Sequence, residues 1–211
     1  KKLLKSDFNL PENKIILCSF NNTYKITQEI FDIWIRILQK NPNTVLWLLS
    51  NSEIFEKNIL NYACSRNIDS SRIIYAKPTN NIDHMERLRL ADLFLDSYPC
   101  CGHTTASDAL WVGLPLITIK GKTFASRVAS SLLNNIGLDE MITSSLDEYY
   151  YLACDLISNE DRLFNIKNKL KENKLKKSLF NSEEYARDLE RAYIEVYENK
   201  LKKLPNKNIY L

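Results

Sequence analysis

The sequence predicts an α/β protein, a Rossmann-like, doubly wound parallel sheet followed by C-terminal helices. Three observations predict it. Short apolar runs alternate with helical patterns five times over residues 1–145, and the links between them are short. After residue 145 the periodicity is helical only. The chain therefore divides into a lobe over 1–145 and a helical extension over 146–211 expected to pack on that lobe.

Residues 1–13 read as an entry segment closed by Pro11. Lys14 to Phe20 (KIILCSF) reads as a strand buried on both faces, ending in the polar turn Asn21-Asn22-Thr23-Tyr24-Lys25. Thr27 is placed to N-cap a helix with Ile30, Phe31, Trp34, Ile37 and Leu38 inward, and Asn41-Pro42-Asn43 ends it. Thr44 to Leu49 is the second strand. A helix starting at Ser52 buries Ile54, Phe55, Ile59, Leu60 and Ala63, and Arg72 to Ala76 is the third strand. A loop from Lys77 then enters a short helix on which His84 and Arg87, three residues apart, share a face. A neutral imidazole beside a planar guanidinium suits the edge and face of a nucleobase.

The central stretch runs from Ala91 to Leu132. Leu93-Phe94-Leu95 is a strand ending in Asp96, and Gly102-His103-Thr104-Thr105 opens a helix with Leu110 and Trp111 inward. Leu116 to Ile119 is the next strand, after Gly113-Leu114-Pro115. The first amides of a helix lack internal partners and lie at the positive end of its dipole. Gly102 permits close approach, Thr104 and Thr105 can add hydroxyls, and His103 a ring N–H. Asp108, one turn on, could accept from a sugar hydroxyl. Together they suit a diphosphate attached to a sugar or ribose. The plainer alternative is that a threonine only caps the helix. Further on, Lys120-Gly121-Lys122-Thr123 is a turn, Phe124 to Ile136 a helix, and three more helices follow, about 146–156, 161–175 and 182–204.

At 211 residues, with 45% hydrophobic and 26% charged residues, the composition is that of a globular domain. A net charge of +3 does not mark a nucleic-acid binder. No apolar run of membrane-spanning length appears, and Lys1-Lys2-Leu3-Leu4-Lys5 leads into no signal-type core, so a soluble, cytoplasmic protein is expected. The five cysteines form no metal box. Cys18, Cys64 and Cys154 are expected as buried thiols, with Cys100-Cys101 adjacent. Neither a Gly-x-Gly-x-x-Gly turn nor a P-loop follows any strand, which disfavours nicotinamide and P-loop chemistry.

The series FNNTYKI (20–26), VLWLL (45–49), RIIY (72–75), ADLFLDSYPCCGHTTASDALWVGLPLIT (91–118) and GKTFASRVASSLL (121–133) resembles the protein O-GlcNAc transferases of glycosyltransferase family 41, Spindly-like forms included. The likeness extends from about Leu10 to Asn199 and is to their carboxyl-terminal catalytic lobe. It implies the C-terminal half of a GT-B fold that holds UDP-GlcNAc and transfers GlcNAc, with inversion, to Ser or Thr of proteins. It implies Lys25 as the catalytic cation on the diphosphate, with Asn22 in the same region. The backbone of Thr79, with His84 and Arg87, would hold the uracil. His103, Thr104 and Thr105 would cradle the phosphates, and Asp108 would take a ribose hydroxyl. No cofactor and no metal is expected, since no Asp-x-Asp occurs. Partners would be the nucleotide sugar and an acceptor protein. The acceptor would be selected by an amino-terminal lobe and tetratricopeptide repeats that these residues lack, so the lobe alone should bind nucleotide and catalyse little. Asn81 stands where animal enzymes carry a ribose-binding Lys. UDP-glucose or GDP-fucose as donor, a non-catalytic nucleotide-binding module and a sugar-nucleotide epimerase remain alternatives.

Overall fold

Six apolar runs make one parallel sheet: β1 (Ile15–Ser19), β2 (Thr44–Leu49), β3 (Ile73–Ala76), β4 (Leu93–Leu95), β5 (Leu116–Ile119) and β6 (Ile142–Thr143), in the order β3-β2-β1-β4-β5-β6. The computed structural model describes residues 3–205 and 207–209. Lys1 and Lys2 of the entry segment, and residues 206, 210 and 211 of the C-terminal extension, lie outside them. Leu17 is in register with Leu46 on one side and Leu93 on the other, so β1 and β4 are the paired centre of the sheet. The chain winds outward from this pair in opposite directions, which is the doubly wound arrangement the alternation predicts.

Among the described residues eight α-helices accompany the strands: α1 (Gln28–Lys40), α2 (Glu53–Ser65), α3 (Asn81–Leu88), α4 (Thr104–Val112), α5 (Val128–Ile136), α6 (Leu146–Ser158), α7 (Glu160–Lys176) and α8 (Ser182–Leu201). Local chemistry sets their ends. Thr27 Oγ1 accepts from the amide of Ile30 at 3.4 Å and Ser52 Oγ from that of Phe55 at 3.3 Å, as the sequence led one to expect. α4 ends on Gly113, whose φ of 88° is the left-handed conformation glycine adopts without strain. α1 packs on α6, and α3, α4 and α5 lie in succession. Between α1 and α6 the indole of Trp34 donates to the hydroxyl of Tyr149 at 3.3 Å, and both side chains are fully buried.

Several expectations need correction. A sixth strand is present, only two residues long and too short to show a period. The helix expected over Phe124–Ile136 is a 3-10 turn, Phe124–Ser126, and then α5, because Ser126 Oγ is drawn back to the backbone of Thr123. Trp111 faces outward, 47% exposed, with its ring against Phe180 and under the ammonium of Lys174. Ile54 is likewise exposed, and of the three cysteines expected to be buried only Cys18 is; Cys64 is exposed and Cys154 half-buried. The apolar stripe of α8, with Tyr185, Tyr193, Val196 and Tyr197, stands in solvent, and no residue of that helix is buried.

Candidate functional site

The connections that leave β1 and β4 run in opposite directions along the sheet, and in open α/β sheets ligands bind in the crevice outside the strand ends at that point. Here the turn after β1, the loop after β3 and the β4–α4 loop enclose a cavity of about 300 Å³. It is lined by Phe20, Asn21, Asn22, Lys25, Leu49, Pro78, Thr79, His84, Arg87, His103, Thr104 and Thr105. Eight of the nine residues singled out in the sequence therefore meet in one hollow. Asp108, one turn further along α4, does not line it; burial raises its carboxyl above the usual range. Two cations, Lys25 and Arg87, are among the lining residues, and no carboxylate is.

Phe20, Leu49 and Pro78 are the apolar lining residues. Arg87 is 2% exposed, with its guanidinium carbon 4.8 Å from the Phe20 ring centre and Nη1 donating to the carbonyl of Lys77. Its remaining donors, Nε and Nη2, point to Nδ1 of His84 at 3.3 and 2.9 Å. A guanidinium cannot accept, so Nδ1 is the acceptor and the neutral ring carries its proton on Nε2. Desolvation first, and then the charge of Arg87, pull His84 down to about 4, so it is neutral at physiological pH. Arg87 thus orients His84 and holds the backbone carbonyl of Lys77.

Lys25 closes a 3-10 turn, Thr23–Lys25, and its Nζ donates to the carbonyl of Cys101 at 2.9 Å, leaving two further N–H donors. α4 begins at Thr104 with His103 as its N-cap, and no side chain caps it. A threonine cap is therefore excluded, and the amides of the first turn have no carbonyl one turn back to bond. The two threonines differ. Thr104 is exposed, whereas the Thr105 hydroxyl donates to Oδ1 of Asn21 and can offer an anion its backbone amide rather than a hydroxyl proton. His103 Nε2 lies 3.4 Å from the carbonyl of Ala125, with the ring edge-on to Phe124. Donation there leaves Nδ1 as the nitrogen free for a ligand.

Behind the lining sits a carboxylate the sequence reading passed over. Asp96 is 1% exposed and accepts from Asn21, Ser97, Gly102 and Thr118. Phe20 and Asn21 were passed over too. The signal available was position alone, an aromatic and an amide at the end of a buried strand. Among the described residues no group of three or more His, Cys, Asp or Glu side chains could hold a metal ion, and no helix is long and apolar enough to cross a membrane.

Comparison with known proteins bears on this geometry. The family model described as glycosyl transferase family 41 matches residues 3–189. A Caenorhabditis elegans UDP-N-acetylglucosamine–peptide N-acetylglucosaminyltransferase is 36% identical over 186 residues, 88% of this chain and 16% of that protein. An Arabidopsis thaliana protein described as a probable enzyme of the same activity, SEC, is 37% identical over 194 residues, 92% of this chain and 20% of that one. Among solved structures, a mutant O-GlcNAc transferase from Thermobaculum terrenum superposes with a TM-score of 0.84 at 25% identity, covering 91% of this chain and 38% of that chain. The chain spans a fifth or less of the length of these curated relatives.

Proposed function

The chain belongs to glycosyl transferase family 41, and from that premise we propose that it is the carboxyl-terminal, nucleotide-sugar-binding lobe of an enzyme that transfers GlcNAc from UDP-GlcNAc to Ser or Thr hydroxyls of proteins. One observation carries the proposal: Lys25, His84 and the start of α4, far apart in sequence, line one hollow where the connections leaving β1 and β4 part. The uracil lies beside Phe20 and Pro78, against the oriented edge of His84. The diphosphate lies at the amides of Thr104 and Thr105 and under Lys25. The acceptor protein is supplied from outside these residues.

The chemistry follows from the charges. When the bond between the anomeric carbon and the β-phosphate oxygen breaks, the electron pair stays on UDP and negative charge grows at that phosphate. Lys25 and the helix amides are already aimed there, and preorganised donors of this kind lower the barrier without a metal ion. The acceptor hydroxyl loses its proton as it attacks, which requires a base from elsewhere in the enzyme. Calorimetric titration of this chain with UDP and GDP tests the reading. Binding of UDP with weaker or no binding of GDP is expected; equal binding of both, or of neither, overturns it.

A further inference from the structure

Asp96 is a buried carboxylate with no cation beside it and no place in the chemistry above. Its four partners are the Asn21 amide at 2.9 Å, the backbone N–H groups of Ser97 at 2.9 Å and Gly102 at 2.6 Å, and the Thr118 hydroxyl at 2.6 Å. All four are donors. Asn21, Ser97 and Gly102 all donate to Oδ1 and the Thr118 hydroxyl to Oδ2, a set that an ionised carboxylate accepts in full. Burial, the larger influence, holds the carboxyl above its usual range, and the four hydrogen bonds offset part of that rise. The carbonyl of the same residue accepts from Tyr149 at 3.1 Å, which ties the hub to the Trp34–Tyr149 pair in the core.

Two of these partners, Asn21 and Gly102, lead to the start of α4. Asn21 donates to Asp96 and, at 2.8 Å, to Ser97, and this fixes which way its amide points. Its Oδ1 is thereby turned to accept the hydroxyl of Thr105 in the first turn of α4. Gly102, whose amide Asp96 holds, packs so closely that an added Cβ would lie 2.9 Å from Thr105 Oγ1 and 3.0 Å from Asn21 Oδ1. Asp96 thus holds the backbone at 102 directly and the side chain at 105 through Asn21.

We propose that Asp96 is a positioning residue which, through Asn21 and the amide of Gly102, sets the start of α4 in the geometry that receives a diphosphate. This rests on the nucleotide reading above. Asp96 itself touches no ligand; a negative charge in contact with a diphosphate would repel it.

Asp96→Asn and, independently, Asn21→Ala are tested in this chain by titration with UDP and with uridine, which lacks the phosphates. The parent prefers UDP. In either variant the preference for UDP over uridine falls by about tenfold, the worth of one charge-assisted hydrogen bond, while uridine affinity stays within about twofold. A purely structural role would weaken both ligands together and leave their ratio at the parent value, which overturns the proposal. If Asp96→Asn does not fold, Asn21→Ala, which removes the relay and keeps the hub, decides by the same ratio. A parent without preference for UDP removes the nucleotide reading and this inference with it; a parent that prefers UDP beside variants that do so equally removes this inference alone.

Discussion

Arg87 and His84 form one unit, with Nη2 of the guanidinium 2.9 Å from Nδ1 of the imidazole and the same guanidinium 4.8 Å from the Phe20 ring. An ammonium cannot reproduce the planar stack or hold the Lys77 carbonyl and His84 together. Arg87→Lys should therefore weaken uridine binding by about tenfold, the loss of roughly one hydrogen bond to a charged group. Titration with uridine measures it, and an unchanged affinity would remove Arg87 from the base site.

His84 also gives the fold a pH dependence of known sign. Its ring is pulled from an ordinary 6.5 to about 4, so protons bind more readily to the unfolded chain. The stability it contributes is complete above about pH 6.5 and is lost as pH falls towards 4. His84→Gln, which cannot titrate, should lose less stability between those pH values than the parent. Denaturant unfolding at a series of pH values checks this. Solvent at the half-buried ring moderates the size of the effect.

In the proposed reaction Lys25 meets the charge of the leaving group. Loss of one preorganised donor costs ~3 kcal/mol of transition-state stabilisation. Lys25→Ala in the full-length enzyme should slow transfer by about a hundredfold or more, and in this chain it should weaken UDP more than uridine. Transfer at the parent rate would show that another group meets the charge.

The Tyr149 hydroxyl joins two layers, accepting from Trp34 at 3.3 Å and donating to the Asp96 carbonyl at 3.1 Å. Tyr149→Phe leaves a buried donor and a buried acceptor unpaired, at a cost of about 1–3 kcal/mol each. Chemical denaturation should show a loss in that range without a change of fold by circular dichroism. No loss would mean that water or relaxation replaces both bonds.

The sheet was legible because its strands are buried on both faces and read as unbroken apolar runs, Ile15–Ser19 and Thr44–Leu49 among them. Thr27 announced its helix by cap chemistry together with the apolar spacing of Ile30, Phe31 and Trp34. What failed was orientation. Trp111 fits the inner face of α4 by size, yet its partners Phe180 and Lys174 come from elements far along the chain that no local period reveals. The solvent-facing stripe of α8 misleads for the converse reason, since periodicity shows that a face is apolar and not what covers it. At the hollow, His84, Arg87 and the Gly102–Thr105 turn stood out by residue type. Asn21 and Asp96 matter through bonds spanning 75 residues, which only the fold brings together.

The most direct test of the central claim is an amide chemical-shift titration of this chain with UDP. If a uridine diphosphate lies across the ends of β1 and β4, the largest changes fall together at residues 20–25, 78–87 and 102–106. Absence of saturable shifts, or shifts concentrated away from these three segments, would contradict it.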